Sequence, residues 1–110
     1  MANKEQVIHR NVFGVPQYPR GHAGRLLVTL AAIDTLDRPT AVTVSKLTGL
    51  EKGNIDRHAL SDVRSQFGVI VSKKGPVYEI EDWGNVLNRE GVRKCLTVLL
   101  NRTILEALEN

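Results

Sequence analysis

The chain holds a single cysteine, Cys95, so it cannot close an internal disulfide, and cross-links are excluded as a source of its stability. Long apolar runs are missing as well. The longest, residues 26–33, is interrupted by Thr29 and falls far short of the ~20 residues that a membrane-crossing helix needs. The opening Met1-Ala2-Asn3-Lys4-Glu5-Gln6 lacks the apolar centre of a secretory signal, and with the lone thiol it predicts a cytoplasmic setting with no membrane contact. Aromatic residues make up only 5% of the chain, too few for a base-stacking platform, so Tyr78 and Trp83 are expected to plug the core. His9, His22 and His58 stand far apart, with no cysteine or carboxylate at ligand spacing, which argues against a metal. No Ser-His-Asp order, glycine-rich phosphate loop or paired carboxylates stand out. The expectation is a protein that is not an enzyme, with no catalytic residue and no cofactor.

What is present suits one ordinary folded domain: 110 residues, 42% hydrophobic and 25% charged, enough to bury a single core. The net charge of +3 is unevenly spread. Residues 1–25 carry four basic side chains against one acid, residues 41–80 six against four, and residues 81–110 four against five. A mild basic excess in the first three-quarters is compatible with a polyanionic partner.

Residues 1–21, with Gly14, Pro16, Pro19 and Gly21, show no sustained period and read as a loosely attached N-terminal arm. Over residues 25–36, Leu26, Leu27, Leu30, Ile33 and Leu36 recur at helical steps and predict a first helix, halted by Asp37-Arg38-Pro39. Residues 41–43 are β-prone, and Thr43 is placed to cap a short second helix over residues 44–48 that Gly49 ends. A third helix is expected over residues 52–66, with Ile55, Ala59, Leu60, Val63 and Phe67 inward and Gly68 as its C-terminal cap. The period then changes to two. Val69, Val71, Tyr78 and Ile80 share one face of a predicted hairpin, residues 69–80, connected through Ser72-Lys73-Lys74-Gly75-Pro76. Past Asp82-Trp83-Gly84-Asn85, a final helix is expected over residues 89–108, with Val92, Leu96, Leu99, Leu100, Ile104 and Leu108 as its aliphatic positions and Cys95 as a packed, unreactive thiol.

Two helices that cross over a tight turn need a small residue at their contact, a flexible one in the turn, and an apolar anchor in the second helix. Ser45, Gly49 and Ile55 stand at those places. Through Thr43-Val44-Ser45-Lys46-Leu47-Thr48-Gly49-Leu50, Ile55-Asp56-Arg57, Phe67-Gly68-Val69 and Val77-Tyr78-Glu79-Ile80, the chain resembles the winged helix-turn-helix family over residues 24–84. The resemblance implies a mainly helical α+β fold. It consists of three helices with a two-stranded hairpin wing in residues 22–84, followed by an additional C-terminal helix in residues 85–110.

It also implies the place of DNA contact, the third helix entering the major groove and the wing touching the flanking backbone. Lys52, Asn54, Arg57, His58 and Ser61 are then the expected readers of base edges, while Arg64, Lys73 and Lys74 meet phosphates. The chain departs from the family pattern at Glu51, where Ser or Thr usually caps the helix, at Gly53, and in the acids Asp56 and Asp62 beside the proposed groove. The function implied is a sequence-specific, double-stranded DNA-binding regulator of transcription, like small regulators of bacteria, their plasmids or phages. Its last helix is expected to pair two copies into a homodimer. Two alternatives stay open: a winged helix module that docks on a partner protein, and a DNA-binding protein of plasmid or phage replication or partition.

Overall fold

The computed structural model describes residues 8–96 and 102–109. The first helix, α1 (Gly24–Thr35), lies within one residue of the expected span at each end. Leu26, Leu30 and Ile33 are buried as the stripe predicts, and so are Val28, Thr29, Ala31 and Ala32. The small side chains at 31 and 32 admit neighbours to the face that a simple amphipathic pattern leaves outside. Thr29 satisfies its hydroxyl by donating to the Arg25 carbonyl at 2.8 Å, so its burial leaves no unmade hydrogen bond.

The second helix, α2 (Ala41–Thr48), starts three residues earlier than expected. Thr40, not Thr43, is its cap. The Thr43 amide donates to Thr40 Oγ1 at 3.1 Å and the Thr40 amide to Thr43 Oγ1 at 2.8 Å, a reciprocal capping box that makes residues 41–43 helical rather than extended. The extended residues lie just before: the Tyr78 amide donates to the Pro39 carbonyl at 2.8 Å, and Thr40 bridges Val77 in antiparallel fashion. Gly49 ends α2 at φ +81°. Ser45 has a different task from the one expected, since its hydroxyl donates to the Leu50 carbonyl at 2.6 Å and braces the turn.

A third helical segment runs from Lys52 to Phe67 as α3 (Lys52–Arg57), a π-helical turn (His58–Asp62) and α4 (Val63–Phe67). Gly68 closes it at φ +72°. The chain then forms an antiparallel hairpin of β1 (Ile70–Lys74) and β2 (Val77–Asp82), in which Lys74 faces Val77 across the turn residues Gly75 and Pro76. Gly75 supplies the positive φ of +58° that such a short reversal demands. Val69, Val71 and Tyr78 are buried and Ile80 half-buried, which is the face the period of two predicts.

The beginning and end of the chain depart most from expectation. Residues 8–21 are not a loose arm: Val15 is fully buried, and Phe13 and Tyr18 pack on the core. The side chains of Asn11 and Gln17 donate to the Leu47 and Thr48 carbonyls at 2.8 Å each, satisfying acceptors that the end of α2 leaves open. Periodicity did not reveal this because polar side chains, not an apolar stripe, do the docking. The expected last helix is divided. It appears as α5 (Arg89–Lys94), followed by a turn at Cys95 and Leu96, and as α6 (Arg102–Glu109). Val92, Leu96 and Leu108 are buried and Ile104 packs on the same core, so these aliphatic positions cover their own chain. Leu99 and Leu100 lie outside the described residues. The half-buried Cys95 Sγ approaches the Gly91 carbonyl at 3.6 Å. Asp34, its side chain only 8% exposed, ties α5 to α1 by accepting from Arg89 at 3.0 Å and Arg93 at 3.1 Å. Among the described residues no helix is long and apolar enough to cross a membrane.

Gly84, at φ +72°, lies so close beneath the end of α4 that a Cβ there would stand 2.6 Å from the Gly68 carbonyl oxygen. Gly84→Ala therefore combines left-handed strain with a backbone clash, and urea denaturation is expected to show a loss of about 1–3 kcal/mol. A variant as stable as the wild type would contradict the close approach.

Candidate functional site

The surface formed by the third helical segment, the hairpin and the start of α1 gathers most of the polar residues that the sequence singled out. Ile55, Ala59 and Val63 anchor the segment in the core with no exposure at all. Lys52, Arg57, Ser61 and Arg64 are exposed along it, and Asn54 is half-buried. The π turn inserts an i→i+5 step in the middle, so side chains after it are rotated relative to a regular helix. Leu60, expected inward, is at the surface, off the stripe of Ile55, Ala59 and Val63.

His58 is the clearest correction. Expected as an outward reader of bases, it is buried, with 5% exposure. A sequence signal existed: His58 follows Ile55 by three and precedes Ala59 by one, which sets it on the margin of the buried face. Its Nδ1 lies 3.3 Å from Asp62 Oδ2, and a carboxylate there fixes the proton on Nδ1. Nε2 is buried and has no partner among the described residues. Burial holds the imidazole below its ordinary pKa, against the opposing pull of Asp62, while the Arg57 and Arg25 charges push the same way as burial.

The acids that seemed to oppose a polyanion are each paired. Asp56 accepts from Tyr78 Oη in a short hydrogen bond and from Lys73 Nζ at 3.0 Å, and Lys73 also lies over the Tyr78 ring at 5.4 Å. The tyrosine and lysine hold the Asp56 carboxyl below the usual range, and burial, helped by Asp56, pushes the Tyr78 phenol up. Lys73, expected on a phosphate, is thus engaged within the chain. Lys74 at the hairpin tip is 80% exposed and meets Glu79 only at 3.8 Å. Arg57 reaches Asp62 Oδ2 and Asn54 Oδ1 at 3.4 Å each, and Asn54 in turn donates to Glu51 Oε1 at 3.4 Å. These bonds are long and exposed, so they orient the side chains without committing them. Lys52 and Arg64 form no ion pair among the described residues.

The sequence did not flag a cleft of about 480 Å³ between the segment and the approach to α1. Arg20, His22 and Arg25 border it on one side and Asn54, Arg57, His58, Asp62 and Gln66 on the other. His22 is held there by stacking on Tyr18 and by accepting the Gly24 amide at 2.8 Å. The contributing residues are some 30 positions apart in sequence, so no local pattern announces them. No protein-family model, curated protein or solved structure matches the chain.

The position of His58 has a consequence for stability. Its pKa in the fold is depressed below the ordinary 6.5, so the unfolded chain binds the proton more readily, and stability falls as pH drops through and below that value. Urea titrations of the wild type are expected to lose stability between about pH 7 and 5, with a flatter profile for His58→Gln. Parallel profiles would count against a buried, neutral imidazole.

Proposed function

We infer that the chain is a winged helix-turn-helix protein that binds double-stranded DNA, with the segment from Lys52 to Phe67 as recognition helix and β1–β2 as wing. The observation that carries this reading is the juxtaposition of α2, the Gly49 turn, the third segment and a hairpin whose second strand bridges back to Thr40 ahead of α2. Lys52, Arg57, Arg64 and Lys74 are exposed on the segment and hairpin, while Asp56 and Asp62 are compensated within the chain, which supports this reading. Arg57 has the planar fork that pairs with guanine, and Asn54 beside it is suited to adenine. His58 leaves the set of readers and becomes a support beneath Arg57. A role in regulating transcription follows from site-specific occupancy; duplex binding in replication or partition would use the same contacts.

The readers and the holders respond differently to substitution. Arg57→Ala is expected to cost about 1–3 kcal/mol on a cognate duplex and to relax discrimination at one base step. Lys74→Ala weakens binding to all sequences alike and reduces the salt slope by about one. Asp56→Asn releases Lys73 and raises affinity for any duplex. Titration of the protein with its own upstream DNA and with an unrelated duplex, at two salt concentrations, reads all of these. If neither duplex binds at low salt while Arg57 is required for capture of a protein partner, the segment is a protein-docking surface instead.

A further inference from the structure

The cleft beside α1 has an electrostatic imbalance that duplex recognition does not require. Arginines from three elements line it: Arg20 from the segment before α1, Arg25 from α1 and Arg57 from α3. Asp62 is the one carboxylate among the lining residues, and it already serves both Arg57 and His58. Arg20 has no ion pair or hydrogen bond among the described residues, and Arg25 commits only its Nε, to the Tyr18 carbonyl at 3.0 Å. His58 lines the cleft as well, with its unpartnered Nε2 buried behind the surface. The first backbone amides of α1 are not what attracts a ligand, because those of Gly24, Arg25 and Leu26 are already bonded to His22 and Ala23.

We propose that this cleft binds a small phosphate-bearing anion, hydrogen phosphate or a phosphate monoester. The donor and acceptor set favours phosphate over carboxylate. Three arginines from separate elements suit a tetrahedral oxyanion with several acceptor oxygens, whereas a carboxylate is planar and offers two. Asn54 and Gln66, also among the lining residues, carry side-chain carbonyls able to accept from the P–OH of a protonated phosphate. The cavity is within the size range of small-molecule sites, and Leu26, Ala23 and Gly21 supply an uncharged floor. Because Arg57 and Asn54 border the cleft and also belong to the proposed duplex-facing set, the anion and the duplex draw on the same two side chains. Occupancy of the cleft therefore opposes duplex binding.

The test is calorimetric titration of the full chain with inorganic phosphate and with phenyl phosphate, in chloride of matched ionic strength. Saturable one-to-one binding is expected, weakened about fivefold or more by Arg20→Gln and about fiftyfold by Arg20→Gln with Arg25→Gln. Arg20 makes no intramolecular bond among the described residues, so Arg20→Gln leaves the fold intact and keeps the test meaningful even if loss of Arg25 loosens Tyr18. Absence of saturation by about 20 mM phosphate, or an affinity unchanged in Arg20→Gln, overturns the proposal. A duplex titration in parallel separates the two readings. A chain that binds duplex but neither phosphate probe refutes the cleft alone, and one that binds phosphate but no duplex refutes the DNA reading alone.

Discussion

The architecture depends on the enclosure of α1. A helix with one buried face needs one partner layer, but α1 is in contact with α2, the π turn, β2 and α5 at once, and those elements meet largely through it. Ala31 and Ala32 make the enclosure possible by letting neighbours come close, while Leu26, Leu30 and Ile33 supply most of the apolar bulk. Asp34 at the far end of the helix then fastens α5 through two arginines, so even the element that follows the hairpin is referred back to α1. Surface charge elsewhere is arranged on a frame that this single helix holds in place.

On that frame, compensation of charge decides what the exposed face offers. Asp56 reaches from α3 to the hairpin and is met there by Lys73 and Tyr78, an interaction that joins two elements while removing one acid and one base from the surface balance. Asp62 does the same between Arg57 and His58. Lys52, Arg64 and Arg20 are left without an ion pair among the described residues, and Lys74 has only a long contact with Glu79. Individually exposed pairs are weak. Their effect here is to select which groups are free rather than to hold the fold.

Elements with an apolar period were legible in the sequence. The α1 stripe, Gly49 and Gly68 as helix ends, and the alternation of Val69, Val71, Tyr78 and Ile80 each carry their structure locally, because helix and strand periods and left-handed caps are short-range properties. What escaped was non-local or polar. The docking of residues 8–21 depends on Asn11 and Gln17 finding carbonyls some 30 positions away, and the start of α2 turned on which of two threonines became the cap. The break after α5 has no proline or helix-ending glycine to announce it. At the candidate site, the row of exposed bases could be read, and the burial of His58 was signalled only by its place on the margin of the buried face, while the capture of Lys73 could not be read at all. That capture joins the hairpin to Asp56 of α3, 17 positions away in sequence.

The way residues 8–18 seat themselves makes the two ends of the α2 story inseparable. Asn11 and Gln17 complete the hydrogen bonding of the last carbonyls of α2, and Gln17 also packs directly beneath Gly49, the pivot between α2 and α3. A segment that caps a helix from outside restrains its fraying, so the N-terminal stretch and the pivot are coupled through these contacts. Asn11 and Gln17 thereby hold the turn between α2 and α3 as a latch holds a hinge.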